Sequence, residues 1–99
     1  MNVLILPHAE SDLGAGRDFY AKKGVGVGEY FLDSLSADIE SLSVYPGIHR
    51  RVGRYYRALS HIFPYAIYYT IEDDLVLVWA VLDCRRNPSW LRKQLRSRN

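Results

Sequence analysis

The fold of this chain is decided by residues 65–83, which read YAIYYTIEDDLVLVWAVLD. Both halves of this segment are rich in Tyr, Ile and Val, which favour strands, and the acidic residues 72–74 separate them as a solvated turn would. Two strands joined as an antiparallel hairpin are therefore predicted over residues 65–71 and 75–83. Because residues 75–82 show no alternation with polar residues, we expect this second strand to lie in the middle of the sheet, covered on both faces.

Two further strands are predicted outward from this hairpin. Residues 55–60 have the same strand-favouring composition, and residues 61–64 are short enough to join them to the strand at 65–71 as antiparallel neighbours. Residues 3–6 form a short apolar run that Pro7 ends, which indicates a first strand.

Between the predicted strands at residues 3–6 and 55–60, apolar residues recur with the spacing of helices. Small and apolar residues follow helical spacing in two stretches, which are Ala9, Leu13, Gly16 and Tyr20, then Phe31, Leu35, Ile39 and Leu42. The glycine-rich residues 24–28 join the stretches as an antiparallel helical hairpin, and Pro46-Gly47 end the second. Gly14 and Gly16 weaken the first helix, so we expect them to allow close packing.

The C-terminal part of the chain predicts one more helix. Asn-Pro-Ser at 87–89 is a typical helix start, and Leu91 and Leu95 follow on one face. The fold class is therefore α+β, in the order β-α-α-β-β-β with a short C-terminal helix and a largely antiparallel sheet packed on a helical hairpin. Residues 1–99 form a single domain. The hairpin covers one sheet face only, and the segment 90–98 and a partner chain both remain possible covers for the other.

Several classes of protein are excluded by composition. The longest uninterrupted apolar run, residues 75–82, is far short of the ~20 residues that span a bilayer, so no membrane association is predicted. A single cysteine, Cys84, excludes an internal disulfide and a cysteine zinc site, and it agrees with a reducing, cytoplasmic location. The three histidines lack metal-ligand spacing, and no nucleotide loop or nucleophile motif is present. We therefore expect neither a metal nor another cofactor.

Charge divides the chain into two unlike halves. Residues 1–45 hold seven acidic and three basic residues, a net charge of −4, whereas residues 46–99 hold ten basic and four acidic residues, a net charge of +6. Nine of those ten bases are arginines, which suit bidentate contacts with phosphates or carboxylates. A polyanion or an acidic protein segment is thus one interpretation, and a solvated basic face is the other.

Arginines and tyrosines are interleaved on the predicted strands. The members of this group are Arg54, Arg57, Arg85 and Arg86 together with Tyr55, Tyr56, Tyr65, Tyr68 and Tyr69. Basic and aromatic residues on a sheet can hold single-stranded nucleic acid by phosphate contacts and base stacking. The alternative is that the tyrosines belong to the core and the arginines bind carboxylates of a partner.

Motifs in five places resemble those of the ParE/RelE toxin superfamily. They are A-x-x-D-L from Ala9, L-x-x-x-P from Leu42, Tyr56-Arg57, F-P-Y-x-I-Y-Y from Phe63 and A-V-L-x-x-R-R-x-P-x-W from Ala80. The likeness covers nearly the whole chain and is closest to the ParE-like plasmid-stabilisation toxins. It implies the element order given above and an antitoxin whose acidic, apolar segment wraps the toxin. It also implies an oligomer through the antitoxin complex.

The superfamily contains two activities, and the resemblance bears on both. ParE-like members poison DNA gyrase, whereas RelE-like members cleave messenger RNA on the ribosome with arginine, lysine and a C-terminal tyrosine. Here no tyrosine follows Tyr69, and the only lysine after Lys23 is Lys93. The chain also has Asp83 where the family often has histidine, and Asn87 where it often has aspartate. These departures lie beside the arginine pair and concern activity more than fold.

The first functional hypothesis is therefore a toxin of a type II toxin–antitoxin system that binds DNA gyrase and is neutralised by a cognate antitoxin. The second is a ribosome-dependent endoribonuclease, in which Arg57 and Arg85 stabilise the phosphorane and His61 acts as acid or base. The third is a degenerate, non-toxic binding module of the same fold. The residues expected to bind the target or the antitoxin are Arg54, Arg57, Tyr68, Arg85, Arg86, Trp90, Arg92, Lys93 and Arg96.

Overall fold

The computed structural model describes residues 1–98 and contains three helices and five strands within them. In chain order the elements are β1 (Asn2–Ile5), α1 (Pro7–Ala21), α2 (Val27–Ser41), β2 (Arg50–Val52), β3 (Tyr55–Leu59), β4 (Tyr65–Glu72), β5 (Leu75–Asp83) and α3 (Pro88–Arg96). None of these helices is long and apolar enough to cross a membrane.

The strands form one mixed sheet in the order β1-β5-β4-β3-β2. Strands β2 to β5 pair antiparallel, whereas β1 pairs parallel to β5, with Asn2 opposite Leu75 and Ile5 opposite Val78. The predicted α+β class and the largely antiparallel sheet are confirmed. Strand β5 is interior, as predicted, because it lies between β1 and β4.

Strand β2 was not predicted, and it adds a fifth strand at the edge of the sheet. It pairs with β3, with Arg50 opposite Arg57 and Val52 opposite Tyr55. The two-residue turn between them begins at Gly53, whose φ of +59° is the conformation that the first turn position of a II′ hairpin requires. Three residues are too few to show a strand period, so the turn glycine was the only available signal.

The helical hairpin α1–α2 covers one side of the sheet, called here the inner face. Ala9 and Leu13 of α1 and Phe31, Leu35 and Ile39 of α2 are buried against the strands. A Cβ on Gly16 would overlap the ring of Phe31, so the expectation of close packing holds there. It is wrong for Gly14, where a Cβ would meet nothing within 4 Å.

A bulge in β5 shifts the alternation of its side chains between the two faces. Tyr68 pairs with Ala80 and Tyr69 with Val78, which leaves Trp79 as the extra residue between them. Val78 therefore packs on the inner face, whereas Trp79 and Ala80 both lie against the cluster on the opposite, outer face. The prediction that the whole strand is covered on both faces is wrong in its first half, because Leu75 and Leu77 are only partly buried.

Helix α3 covers part of the outer face. Of the two covers considered for this face, the C-terminal segment of the chain itself is therefore one that the structure contains. Asn87 caps α3 by accepting a hydrogen bond from the Ser89 backbone N–H at 2.8 Å. Leu95 is 7% exposed and packs in a cluster with Tyr55, Ala66, Tyr68, Ala80 and Leu82. The Tyr55 hydroxyl donates to the Leu95 carbonyl oxygen at 3.1 Å, which fixes the end of α3 to β3.

A nearly buried ion pair fastens the chain after α3 to α1. The side chains of Arg98 and Asp12 are 7% and 14% exposed, and Arg98 Nη2 lies 3.0 Å from Asp12 Oδ1. Asp12 also accepts the backbone N–H of Val81 at 2.9 Å, and Arg98 donates to the carbonyl oxygen of Trp79 at 3.2 Å. These contacts satisfy backbone groups of β5 beyond the end of β1, on the edge that faces away from β4 and that no strand covers there.

Candidate binding face

The expected site residues are distributed over both sides of the sheet, and the outer face holds most of them. Arg54 follows Gly53 in the turn between β2 and β3. Its guanidinium carbon lies 4.6 Å from the ring centroid of Trp79 and 5.0 Å from that of Tyr55. The bulge in β5 brings Trp79 to this face, and its Nε1 donates to the Thr70 hydroxyl at 2.8 Å. Stacking on two rings therefore positions an exposed arginine that contacts no carboxylate in the described part of the chain.

Arg57 also lies on the outer face, directly opposite Arg50 on one side and Tyr68 on the other. Its Nε donates to the Tyr68 hydroxyl at 3.3 Å, and its Nη2 lies 3.5 Å from Cys84 Sγ. Burial acts to lower the pKa of Arg57, but the hydrogen bond with Tyr68 and the nearby phenol and thiol raise it on balance. Tyr68 itself is 3% exposed, so it holds Arg57 in place and does not reach a partner directly.

Arg85 lies beside Asp83 and helix α1. Its Nε lies 3.0 Å from Asp83 Oδ1 and its Nη2 lies 2.7 Å from Asp83 Oδ2, a bidentate arrangement. The hydrogen bond from Arg85 lowers the pKa of Asp83, and the same carboxylate raises the pKa of Arg85. The other contact of Nη2 is the Tyr20 hydroxyl at 3.5 Å. The family departure at Asp83 therefore supplies a charge partner for Arg85.

The remaining bases belong to α3 and to the turn before it. Arg86 stacks on Trp90, with 3.8 Å between the guanidinium carbon and the ring centroid. Arg92, Lys93 and Arg96 are exposed along α3. Within residues 1–98, none of these four bases forms an ion pair. They are therefore charged groups whose hydrogen-bonding capacity is open to a partner.

His61 is held at a different place from the arginines. Its Nδ1 lies 2.6 Å from Asp38 Oδ1, while its backbone N–H and the Ser60 hydroxyl both contact Asp38 Oδ2. Asp38 is a largely buried residue of α2, so this network joins the loop between β3 and β4 to the helical hairpin. The structure does not bring His61 into hydrogen-bonding contact with Arg57 or Arg85.

Two features of the molecule were missed by sequence reasoning. One is a cleft of about 400 Å³ between the β2–β3 turn and α3, lined by Val52, Gly53, Arg54, Tyr55, Arg92, Leu95 and Arg96. The other is the pair of Asp12 and Arg98, for which the A-x-x-D-L motif marked only Asp12. No group of three His, Cys, Asp or Glu side chains that could hold a metal ion occurs in residues 1–98.

Comparisons with known proteins agree with the fold. The family described as "ParE toxin of type II toxin-antitoxin system, parDE" matches residues 3–88. A chain of the solved structure titled "Chromosomal ParDE TA system from P. aeruginosa" has a TM-score of 0.70 at 15% identity, covering 82% of this chain and 92% of that one. A search of curated protein sequences gives no match. The family match ends at residue 88, where α3 begins.

Proposed function

Because the chain belongs to the family of ParE toxins of type II toxin–antitoxin systems, we propose that it arrests growth by binding DNA gyrase and that a cognate antitoxin neutralises it. The toxin acts as a binding protein in this proposal. Its contacts come from bases of the outer face that form no ion pair within residues 1–98, together with Trp90. These bases are Arg54, Arg57, Arg86, Arg92, Lys93 and Arg96.

The observation that carries this proposal over the ribonuclease alternative is the bidentate pairing of Arg85 with Asp83. An arginine that stabilises a phosphorane needs N–H groups aimed at the developing charge, and here a carboxylate already occupies those of Arg85. Cleavage also needs a positioned acid and base. His61 is hydrogen-bonded to Asp38 and makes no hydrogen bond to either arginine, which supports binding as the activity.

An antitoxin partner is supported by the charge of the outer face. The second half of the chain carries a net charge of +6, and several of its arginines lack a carboxylate partner in the described residues. A protein segment with acidic side chains would complement this face. In this proposal the outer face is free in the active toxin and is covered by the antitoxin in the neutralised complex.

The direct experiment induces the chain in growing bacteria and follows DNA and messenger RNA in parallel. We expect double-strand breaks with a DNA-damage response, and purified gyrase should show accumulated cleaved plasmid in the presence of the chain. Arg57→Gln should weaken both effects only partly, because a binding surface spreads its energy over several contacts. Lys22→Gln, a change on the exposed C-terminal side of α1, is the matched control.

Two outcomes would contradict the proposal. Codon-phased cuts in messenger RNA that disappear in Arg57→Gln would assign the ribonuclease activity instead, since loss of one transition-state group costs about 100- to 1,000-fold in rate. Normal growth with intact DNA and intact messages would identify a non-toxic binding module.

A further inference from the structure

A buried carboxylate orients an exposed histidine on the loop between β3 and β4. The Asp38 side chain is 10% exposed, whereas the His61 side chain is 81% exposed. Asp38 Oδ1 lies 2.6 Å from His61 Nδ1, and Asp38 Oδ2 accepts hydrogen bonds from the Ser60 hydroxyl at 2.8 Å and the His61 backbone N–H at 3.2 Å. These contacts hold the loop and the imidazole ring in one orientation relative to α2.

The partner of Nδ1 determines which nitrogen of His61 can react. A carboxylate has only acceptor atoms, so the proton of the neutral ring lies on Nδ1 and the lone pair lies on Nε2. Nε2 is on the other side of Cε1 from Nδ1, and the exposure of the ring leaves this lone pair open to solvent. An imidazole that is oriented in this way and accessible at Nε2 can act as a nucleophile.

The other two histidines lack this combination. His49 is half-buried, and its Nδ1 lies 2.5 Å from the Tyr69 hydroxyl. Because Tyr69 accepts the backbone N–H of Gly47 at 2.9 Å, its own proton is available to His49 Nδ1, which places the ring proton on Nε2. His8 is exposed, but it forms no ion pair with a carboxylate within residues 1–98. His61 therefore differs from both in joining an open Nε2 to a carboxylate at Nδ1.

The surroundings of His61 favour a phosphoryl group over an acyl group as the electrophile. Acyl transfer needs hydrogen-bond donors for the developing oxyanion, and the His61 backbone N–H is already bonded to Asp38. Phosphoryl transfer passes through a loose transition state, for which positioning and charge stabilisation supply most of the catalysis. An oriented nitrogen with a carboxylate behind it provides both at the attacking atom.

We propose that His61 Nε2 is a phosphoryl-acceptor site that takes the group from a donor with a P–N bond. The Nε2 lone pair forms the new N–P bond, and the P–N bond of the donor breaks. Its electron pair goes to the leaving nitrogen, which takes a proton from water, while the proton on Nδ1 stays in place. The ring becomes cationic as the bond forms, and the Asp38 carboxylate stabilises this charge. Asp38 is thus a positioning residue. The proposal does not depend on the proposed function.

The modification changes the character of the loop surface in this proposal. Leu59 and Ile62, on either side of His61 in the chain, are 59% and 55% exposed. A phosphoryl group adds about two negative charges beside them. A contact that the loop makes through its apolar side chains is therefore opposed by the modification.

The test treats the purified whole chain with phosphoramidate at neutral pH and follows the label by mass spectrometry of proteolytic fragments. We expect His61 to be labelled about 10-fold faster than His8, as a charge-assisted contact at Nδ1 would produce. The label should be lost in acid, as N–P bonds are, whereas a phosphoester on Ser60 would survive. His61→Gln should remove this label, and His8→Gln, the matched control at an exposed histidine, should keep it.

Two variants separate the charge of the carboxylate from its place in the fold. Asp38→Asn can keep an acceptor for Nδ1 but loses the charge, so labelling of His61 should slow about 10-fold. Ser60→Ala removes another contact of Asp38 and should be labelled at the rate of the unchanged chain. Thermal midpoints measured on both variants show whether each is folded.

Three results would overturn the proposal. Equal rates at His61 and His8 in the unchanged chain would show that exposure alone sets the reactivity, and this comparison decides the matter if Asp38→Asn does not fold. An acid-stable label on Ser60 would assign the site to the serine. A folded Asp38→Asn chain that is labelled as fast as the unchanged chain would remove the role of the carboxylate.

Discussion

Phe31, Leu35 and Tyr69 on the inner face of the sheet are fully buried, whereas on the outer face Leu59 is 59% exposed and Leu75 and Leu77 are only partly covered. The charged side chains of the two faces also differ in whether they have partners within the chain. Beside the inner core, the carboxylates of Asp38 and Asp83 have their partners within the chain, while the outer arginines stack on aromatic rings or extend into solvent.

The two faces of one sheet therefore contribute to different properties. The inner face, with its fifteen-residue helices α1 and α2, supplies most of the apolar burial that stabilises the fold. The outer face is covered only by the nine-residue α3 and keeps groups that a partner can bind. Substitutions on the inner face should thus affect stability first, and those on the outer face should affect binding first.

The largest effect is expected for Phe31→Ala on the inner face. Phe31 is 0% exposed, and its ring lies 5.2 Å from Tyr20, 5.1 Å from Phe63 and 4.9 Å from Tyr65 between centroids. Removing the ring should lower the free energy of unfolding by about 3 to 5 kcal/mol in urea denaturation. Leu59→Ala is the outer-face control and should change it by less than about 0.5 kcal/mol. Similar losses in both variants would refute the division between the faces.

Arg98→Met tests the contact that joins α3 to the inner side of the molecule. Loss of this ion pair should lower the free energy of unfolding by about 2 to 3 kcal/mol, because the Asp12 carboxylate is left without a charge partner. This loss is somewhat smaller than that expected for a fully buried pair. Asp12→Asn keeps an oxygen for the Val81 N–H, so a double-mutant cycle isolates the charge contribution. We expect the double variant to lose less stability than the sum of the single ones. Strict additivity would show that the pair does not couple α3 to α1.

Alkaline unfolding should report on a phenol of the inner face. Burial is the main cause that raises the pKa of Tyr65 from 10.0 to about 12. The neutral phenol is therefore favoured in the folded state, so the stability it confers is complete below pH 10 and is lost as the pH rises to about 12. The loss should approach about 2 kcal/mol. Urea midpoints of Tyr65→Phe measured over this range should fall less steeply, and parallel curves for the two proteins would contradict the assignment.

The smallest change in stability is expected for Asp83→Asn, since the Arg85 side chain is 56% exposed and water screens the pair. The hydrogen bond from Arg85 lowers the pKa of Asp83, so its contribution is present above the ordinary value of 3.8 and disappears as the pH falls through the folded value. The two proteins should thus have equal urea midpoints in strong acid. The variant frees Arg85, and it should still produce no codon-phased cuts. New cuts would show that Asp83 suppresses a nuclease site.

Sequence patterns were sufficient where a period is long enough to be measured. The hairpin of β4 and β5 was predicted to within one residue, and the buried faces of α1 and α2 follow the spacing from Ala9 and from Phe31. Strand β2 was missed because its three residues show no period. The predicted β-α-α-β-β-β order was otherwise confirmed.

The arrangement of the candidate site could be predicted less well. Of the chosen arginines, Arg57 is half-buried and the others are exposed. Their grouping depends on the bulge that turns Trp79 toward Arg54, and no local pattern marks a bulge in an apolar run. Asp12 and Arg98 are 86 positions apart, so their pairing follows from the tertiary fold alone. The cleft was missed for the same reason, since its two sides come from the β2–β3 turn and α3.

The parallel pairing of β1 with β5 also affects the order in which the parts of the fold form during translation. Ribosomes add about 5 to 20 residues per second, so β1 exists for seconds before the strand that it pairs with. The α1–α2 hairpin can form early from local contacts, yet Asp12 must wait for Val81 and then for Arg98. Because the cleft needs both the β2–β3 turn and α3, a nascent chain that stops before α3 has no complete cleft. Translation thus separates the appearance of the fold's core from the appearance of its candidate binding face.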